Sequence, residues 1–159
     1  MSIEVVLKDV TAQTVLSIAH TVRNDTIAQA LAQILPQVYE FAAANGMAPI
    51  GPPFTRYNDW DEEAGTCDLD AGLPIAVGVG GQGDLQVREL PACTAAVAWH
   101  VGPYDALGDT HRFIHNYIMN RNDLVLAGAC WEIYWTDPGE VPDPSQWRTE
   151  VFYPVKLLN

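Results

Sequence analysis

Basic residues are scarce in this chain. Eight lysines and arginines face 20 aspartates and glutamates, for a formal net charge of −12. A nucleic-acid duplex would be repelled by that field, so direct nucleic-acid binding is not expected. A cationic or electron-poor organic ligand would be attracted. The plainer reading is that the acids keep a small domain soluble. No apolar run approaches the ~20 residues that a membrane span needs. The start, Met1-Ser2-Ile3-Glu4, has no basic segment followed by an apolar one, so no signal peptide or membrane association is expected and the cytoplasm is the default compartment. Cysteine is also sparse. Cys67, Cys93 and Cys130 are odd in number, far apart and without CxxC spacing, which reads as reduced thiols rather than a disulfide frame or a metal site. There is no linker and no low-complexity stretch. What remains is 159 residues, 48% hydrophobic and 18% charged, the composition of a single globular domain.

The chain repeats itself. Thr14–His20 matches Thr94–His100, each an apolar run ending at histidine. Gly51–Tyr57 matches Gly128–Tyr134, with Gly first, an aromatic fourth and Tyr seventh. Leu73-Pro74-Ile75 matches Tyr153-Pro154-Val155. The offsets are 80, 77 and 80, in the same order, which argues for an internal duplication of about 1–80 and 81–159. One helix is expected in each half. The first begins near Asn24-Asp25, buries Ile27, Leu31, Ile34, Leu35, Val38 and Phe41/Ala42, and stops at Asn45-Gly46. Pro36 should kink or split it. The second follows Gly102-Pro103, with Leu107, His111, Ile114 and Ile118 inward. The rest reads as strands: Ile3–Val10, Leu85–Leu90, Thr94–His100, Cys130–Trp135 and Thr149–Tyr153 among them. The expected fold is α+β, two tandem βαββ modules with antiparallel sheets, the first strand of each half pairing with its second.

Several motifs point to little. Gly78-Val-Gly80-Gly-Gln-Gly83 fits GxGxxG, but a strand pattern follows it where a dinucleotide site needs a helix, so it reads as a hairpin turn. His111 and His115 are four apart without a third ligand, which reads as one packed and one surface histidine. His20 and His100 end equivalent strands, which suggests one shared structural role, such as holding the turn into the helix. Asp59, Asp61, Glu62, Glu63, Asp68 and Asp70 lack calcium-loop spacing and read as a solvated loop. No metal and no cofactor is expected.

Glu132 stands apart. It lies in Trp131-Glu-Ile-Tyr-Trp135, where alternation puts Glu132 and Tyr134 on one face and Trp131, Ile133 and Trp135 on the other. Burying a carboxylate there is costly unless it is paired. Two explanations stand: a hydrogen bond from Tyr or Arg satisfies it, or a ligand does. The other half has Thr55 at the matching place, so the fold does not demand the acid, and this favours a ligand. Phe54, Tyr57, Trp99, Tyr104, Phe152 and Tyr153 lie at or near strand ends. They read as an aromatic wall suited to planar cations or as ordinary core.

Taken together, Gly51–Tyr57, Leu90-Pro91-Ala92, His100–Tyr104, Trp131–Tyr134, Asp143-Pro144 and Trp147–Pro154 resemble, in order, the GyrI-like effector-binding domain family. That family is related to the ligand-binding domains of multidrug-responsive bacterial transcription activators. The resemblance implies a pseudo-two-fold pair of modules with a ligand cleft between them. It implies that Glu132 contacts the ligand, with Trp99, Tyr104, Tyr134, Glu150, Phe152, Phe54 and Tyr57 lining the cleft. Family regulators carry a helix-turn-helix module before this domain. Ile3 here already adjoins the first strand, so a stand-alone member is expected. The expected function is binding of hydrophobic, aromatic, often cationic small molecules for sequestration or sensing. A second possibility is a hydrolase that opens cyclopropane-bearing DNA-alkylating natural products, with Glu132 activating water and Tyr104 protonating the leaving oxygen. A third is regulation of a protein partner such as gyrase.

Overall fold

Two short connections, Thr11-Ala12 and Pro91-Ala92, decide the topology. A two-residue hairpin needs positive φ at its centre, which Gly, Asn or Asp supplies. Neither dipeptide has such a residue, and Pro91 is held at a φ of about −65°. Among the described residues only glycines take positive φ. The flanking strands therefore do not fold back on each other. In the computed structural model, which describes residues 3–76 and 80–158, strand β1 (Val6–Val10) does not pair with β2 (Gln13–Arg23). It runs antiparallel to β6 (Cys93–Val101), from Val6 opposite Val97 to Val10 opposite Cys93. Likewise β5 (Leu85–Leu90) lies on β2, from Leu90 opposite Gln13 to Leu85 opposite Ile18. This corrects the expected pairing of each half's first strand with its own second. Each half's first strand lies instead on the other half's second strand.

Two units result. The first is Ala12–Pro91 and the second is Met1–Thr11 with Ala92–Asn159. In the first, β3 (Phe54–Asp61), β4 (Thr66–Pro74), β2 and β5 form an antiparallel sheet in that order, and helix α1 (Ile27–Ala44) packs on one face. In the second, β1 pairs with β6 and β6 with β9 (Arg148–Leu157). Both β7 (Leu124–Leu126) and β8 (Cys130–Tyr134) pair with β9, and helix α2 (Leu107–Met119) covers one face. The fold class is α+β with antiparallel sheets and two main helices.

Helix α1 buries Ile34, Val38 and Ala42. It is preceded by a 3-10 turn, Asn24–Thr26, and no side chain caps it. It is not split at Pro36. Pro36 and Ala32 both face solvent, so water can serve the Ala32 carbonyl that the missing N–H leaves free. At its end Gly46 takes φ 68°, and Met47 N–H donates to Ala42 O at 2.9 Å, a left-handed stop. Helix α2 buries Leu107, Thr110, Ile114 and Ile118 against Ala96, Ala98, Leu124, Val151 and Val155. None of the helices is long and apolar enough to cross a membrane among the described residues.

Register sets the faces. Glu132 is opposite Val151, and Ile133 is opposite Glu150. Val151 belongs to the α2-facing core, so Cys130, Glu132 and Tyr134 share the helix side. Trp131, Ile133, Glu150, Phe152 and Trp99 share the opposite side. Of the GxGxxG glycines, Gly78 lies outside the described residues. Gly80 and Gly83 have φ of 96° and 61°, and strand β5 follows, the geometry of a turn into a strand.

Candidate functional site

The Glu132 carboxylate is 2% exposed on the helix side of the second unit's sheet. Period-two alternation on β8 and the inward stripe of α2 bring it against His111. Oε2 meets His111 Nε2 at 2.5 Å, and Tyr134 Oη donates to Oε1 at 2.7 Å. His111 Nδ1 is 2.7 Å from Tyr153 Oη. Cys130 lies on the same face of β8 as Glu132. The result is one polar chain running Tyr153–His111–Glu132–Tyr134. Burial pushes the His111 pKa down, but hydrogen bonds to Cys130 and Glu132 and the Glu132 charge push it further up, to about 9. Near neutral pH His111 is therefore protonated. Burial, then the charge of Cys130, a hydrogen bond to it and the charge of Glu132 raise the Tyr153 hydroxyl pKa. Tyr104 leads outward from this chain. It meets Tyr134 edge-on at 5.6 Å and Trp147 at 4.9 Å, and is 36% exposed. Burial, then Asp137 and Glu132, raise its pKa and hold the phenol as a proton donor. Thr149 is opposite Tyr134. Its Oγ1 is buried on the same side without a hydrogen-bond partner among the described residues.

Glu150, Phe152 and Trp99 are not part of this group. Glu150 is held by Lys8 Nζ at 3.2 Å and Trp135 Nε1 at 3.1 Å. Phe152 stacks on Trp131 with ring centroids 4.9 Å apart. Trp99 tilts against Trp135 and lies under the Arg148 guanidinium, 4.5 Å from it. The expectation that all of them line one surface with Glu132 is thus corrected by strand alternation. Glu132, Tyr134 and Tyr104 belong together, and Glu150, Phe152 and Trp99 form a second cluster across the sheet.

In the first unit, Phe54 is 2% exposed and Tyr57 9%, with Tyr57 stacked on Trp60 at 5.3 Å. Asp70 is corrected from the solvated acidic loop. It is 1% exposed, bonded by Arg56 Nε at 2.9 Å, Asn58 Nδ2 at 2.9 Å and Ser17 Oγ at 3.1 Å. Asp70 and Glu150 are 80 positions apart and each has a basic partner, so that acid belongs to the duplicated fold. The histidines do not share a role. His100 is buried, with Nδ1 on Thr110 Oγ1 at 2.8 Å and Nε2 on the Pro103 carbonyl at 2.9 Å. His20 is exposed, and the residue matching Thr110 is Ala30, which has no hydroxyl.

The residue that sequence reasoning undervalued is His111. The repeat held the signal. Leu31, Thr55 and Leu73 in the first copy stand where His111, Glu132 and Tyr153 stand in the second. Three residues that are not ionisable in the first copy are replaced by ionisable ones in the second, and these meet in space. Among the described residues, no group of three or more His, Cys, Asp or Glu side chains is placed to hold a metal.

Comparison with known proteins agrees with this architecture. The chain superposes on a crystal structure of the EcmrR C-terminal domain with a TM-score of 0.87 at 23% identity, covering 98% of this chain and 99% of that one. Against EcmrR in a cryo-EM complex with DNA the TM-score is 0.86 at 23% identity, covering 97% of this chain, which spans 57% of that one. SAV2435 bound to tetraphenylphosphonium matches with a TM-score of 0.62 at 17% identity, covering 96% of this chain and 94% of that one. No curated protein sequence matches the chain. The model of the GyrI-like small molecule binding domain matches residues 3–156, so the chain belongs to the GyrI-like small molecule binding domain family.

Proposed function

We propose that the Glu132 face of the second unit binds hydrophobic, aromatic and often cationic small molecules, for sequestration or sensing. One observation carries the reading: a carboxylate 2% exposed, present in only one of two duplicated copies, lies beside a tyrosine that reaches solvent. Tyr104 and Tyr134 supply aromatic surface, and cation–π contact adds ~0.5–2 kcal/mol per ring. The buried Thr149 hydroxyl offers a further polar contact. SAV2435, a protein of the same fold, is seen with the lipophilic cation tetraphenylphosphonium, which supports the ligand class. A cationic ligand must compete with protonated His111 for Glu132. Fluorescence titration with a rhodamine-like dye tests this. Glu132→Gln should weaken binding by ~1–3 kcal/mol through loss of a charged partner. Wild-type affinity should rise as the pH passes the His111 pKa of about 9, because the site then gains a net negative charge. Equal affinity in wild type and mutant refutes the electrostatic part.

The His111–Glu132 contact favours a second reading. An adjacent carboxylate and imidazole form an acid–base pair, and the Tyr104 phenol is a proton donor close by. Such a group suits hydrolytic opening of a strained ring: Glu132 takes a proton from water, the water oxygen bonds to a ring carbon as the ring C–C bond breaks, and Tyr104 donates a proton to the conjugated carbonyl oxygen that receives the electron pair. Mass spectrometry of a cyclopropane-bearing alkylator incubated with the protein separates turnover from binding. Product beyond one equivalent supports a hydrolase, and no excess over buffer excludes that substrate.

A further inference from the structure

The first unit holds a cavity of about 920 Å³ between α1 and the outer half of β2. Ile18, Val22 and Ile34 form its floor, and Gln29, Gln33 and Gln37 line α1 at successive turns. None of these residues belongs to the Glu132 group.

The duplication explains the space. Ile3, Val5 and Tyr117 of the second copy's unit correspond, 80 positions apart, to Gly83, Leu85 and Gln37. In the second unit Ile3, Val5 and Tyr117 pack against the core under α2. In the first unit the chain turns at Gly83, with φ 61°, and Gln37 is exposed. A branched aliphatic side chain and an aromatic ring are therefore missing from one of two equivalent grooves. The backbone beside the groove is also open. Ala19 N–H still donates to Asp84 O at 3.2 Å. Beyond it, Thr21–Arg23 pair with β4 on one side, and no strand pairs on the other among the described residues. An unpaired strand edge accepts an extended peptide through main-chain hydrogen bonds.

We propose that this groove binds an extended peptide of alternating apolar and basic residues. The peptide pairs with β2 at Thr21–Arg23 and lays a branched and an aromatic side chain where Ile3 and Tyr117 lie in the other copy. Basic residues suit it because Glu40 and Asp84 line the groove, Arg23 there is already paired with Asp25, and the chain carries −12 overall.

The test is an amide-shift NMR titration of the intact chain with acetylated, amidated Ile-Lys-Val-Lys-Tyr. Shifts concentrated on Thr21–Arg23 and Gln29–Phe41 are expected. Gln37→Tyr, which restores the missing ring, should weaken the peptide about tenfold or more, and Ala30→Trp should do the same by filling the groove. Circular-dichroism melting confirms that each variant is folded. Three outcomes would overturn the proposal: shifts scattered over the acidic surface or absent, equal binding of Ser-Lys-Ser-Lys-Ser, or full peptide affinity in both filled variants. None of these readouts depends on whether Glu132 binds a small molecule.

Discussion

The contact between His111 and Glu132 makes stability depend on pH in a predictable direction. His111 has a folded-state pKa of about 9 against an ordinary 6.5. Its side chain is 19% exposed and that of Glu132 3%, so little solvent screens the pair. A group whose pKa is raised on folding stabilises the folded state fully below its unfolded pKa. That contribution is lost as the pH rises through the folded value. The shift corresponds to about 3 kcal/mol at 1.36 kcal/mol per unit, a large share of the 5–15 kcal/mol typical of a domain. Urea unfolding followed by circular dichroism at a series of pH values from about 6 to 10 spans the window. Wild type should lose stability steadily between pH 6.5 and about 9 and level off beyond. Glu132→Gln removes the charge and one strong acceptor, and should flatten most of this slope. His111→Gln should abolish it. A flat wild-type profile, or a Glu132→Gln profile as steep as wild type, would refute the account.

Other predictions concern the scaffold. A Cβ at Gly72 would lie 1.8 Å from the Leu16 carbonyl oxygen, so Gly72→Ala should destabilise the first unit by more than about 3 kcal/mol in the same urea assay. Arg56→Met leaves the buried Asp70 carboxylate without its guanidinium and should cost about 3–5 kcal/mol. Asp70→Asn with Arg56→Met together should cost less than the two single changes summed, which a double-mutant cycle measures.

Much of the fold was legible because its causes are local. Apolar spacing placed both helices, and the matched segments at offsets of 80, 77 and 80 suggested a duplication. The strand exchange was missed, although its signal was present: Thr11-Ala12 and Pro91-Ala92 cannot make a tight hairpin. Pro36 was over-weighted because its effect depends on whether Ala32 faces solvent, which spacing alone does not say. For the site, alternation correctly put Glu132 with Tyr134. It also implied that Glu150 and Phe152 face the other way, once their pairing register with β8 is known. That register depends on how β9 lies between β6 and β8, a long-range matter.

By itself, then, the sequence determined the element types, the repeat and the oddity of an acid in an apolar strand, because propensity, periodicity and desolvation act over a few neighbours. Only the tertiary structure decided what Glu132 meets. His111 and Tyr153 come from a helix and a strand that are remote in the chain. His111 contacts the carboxylate and Tyr153 contacts His111 only because packing α2 on the sheet brings the three side chains to one buried point, where each satisfies the next.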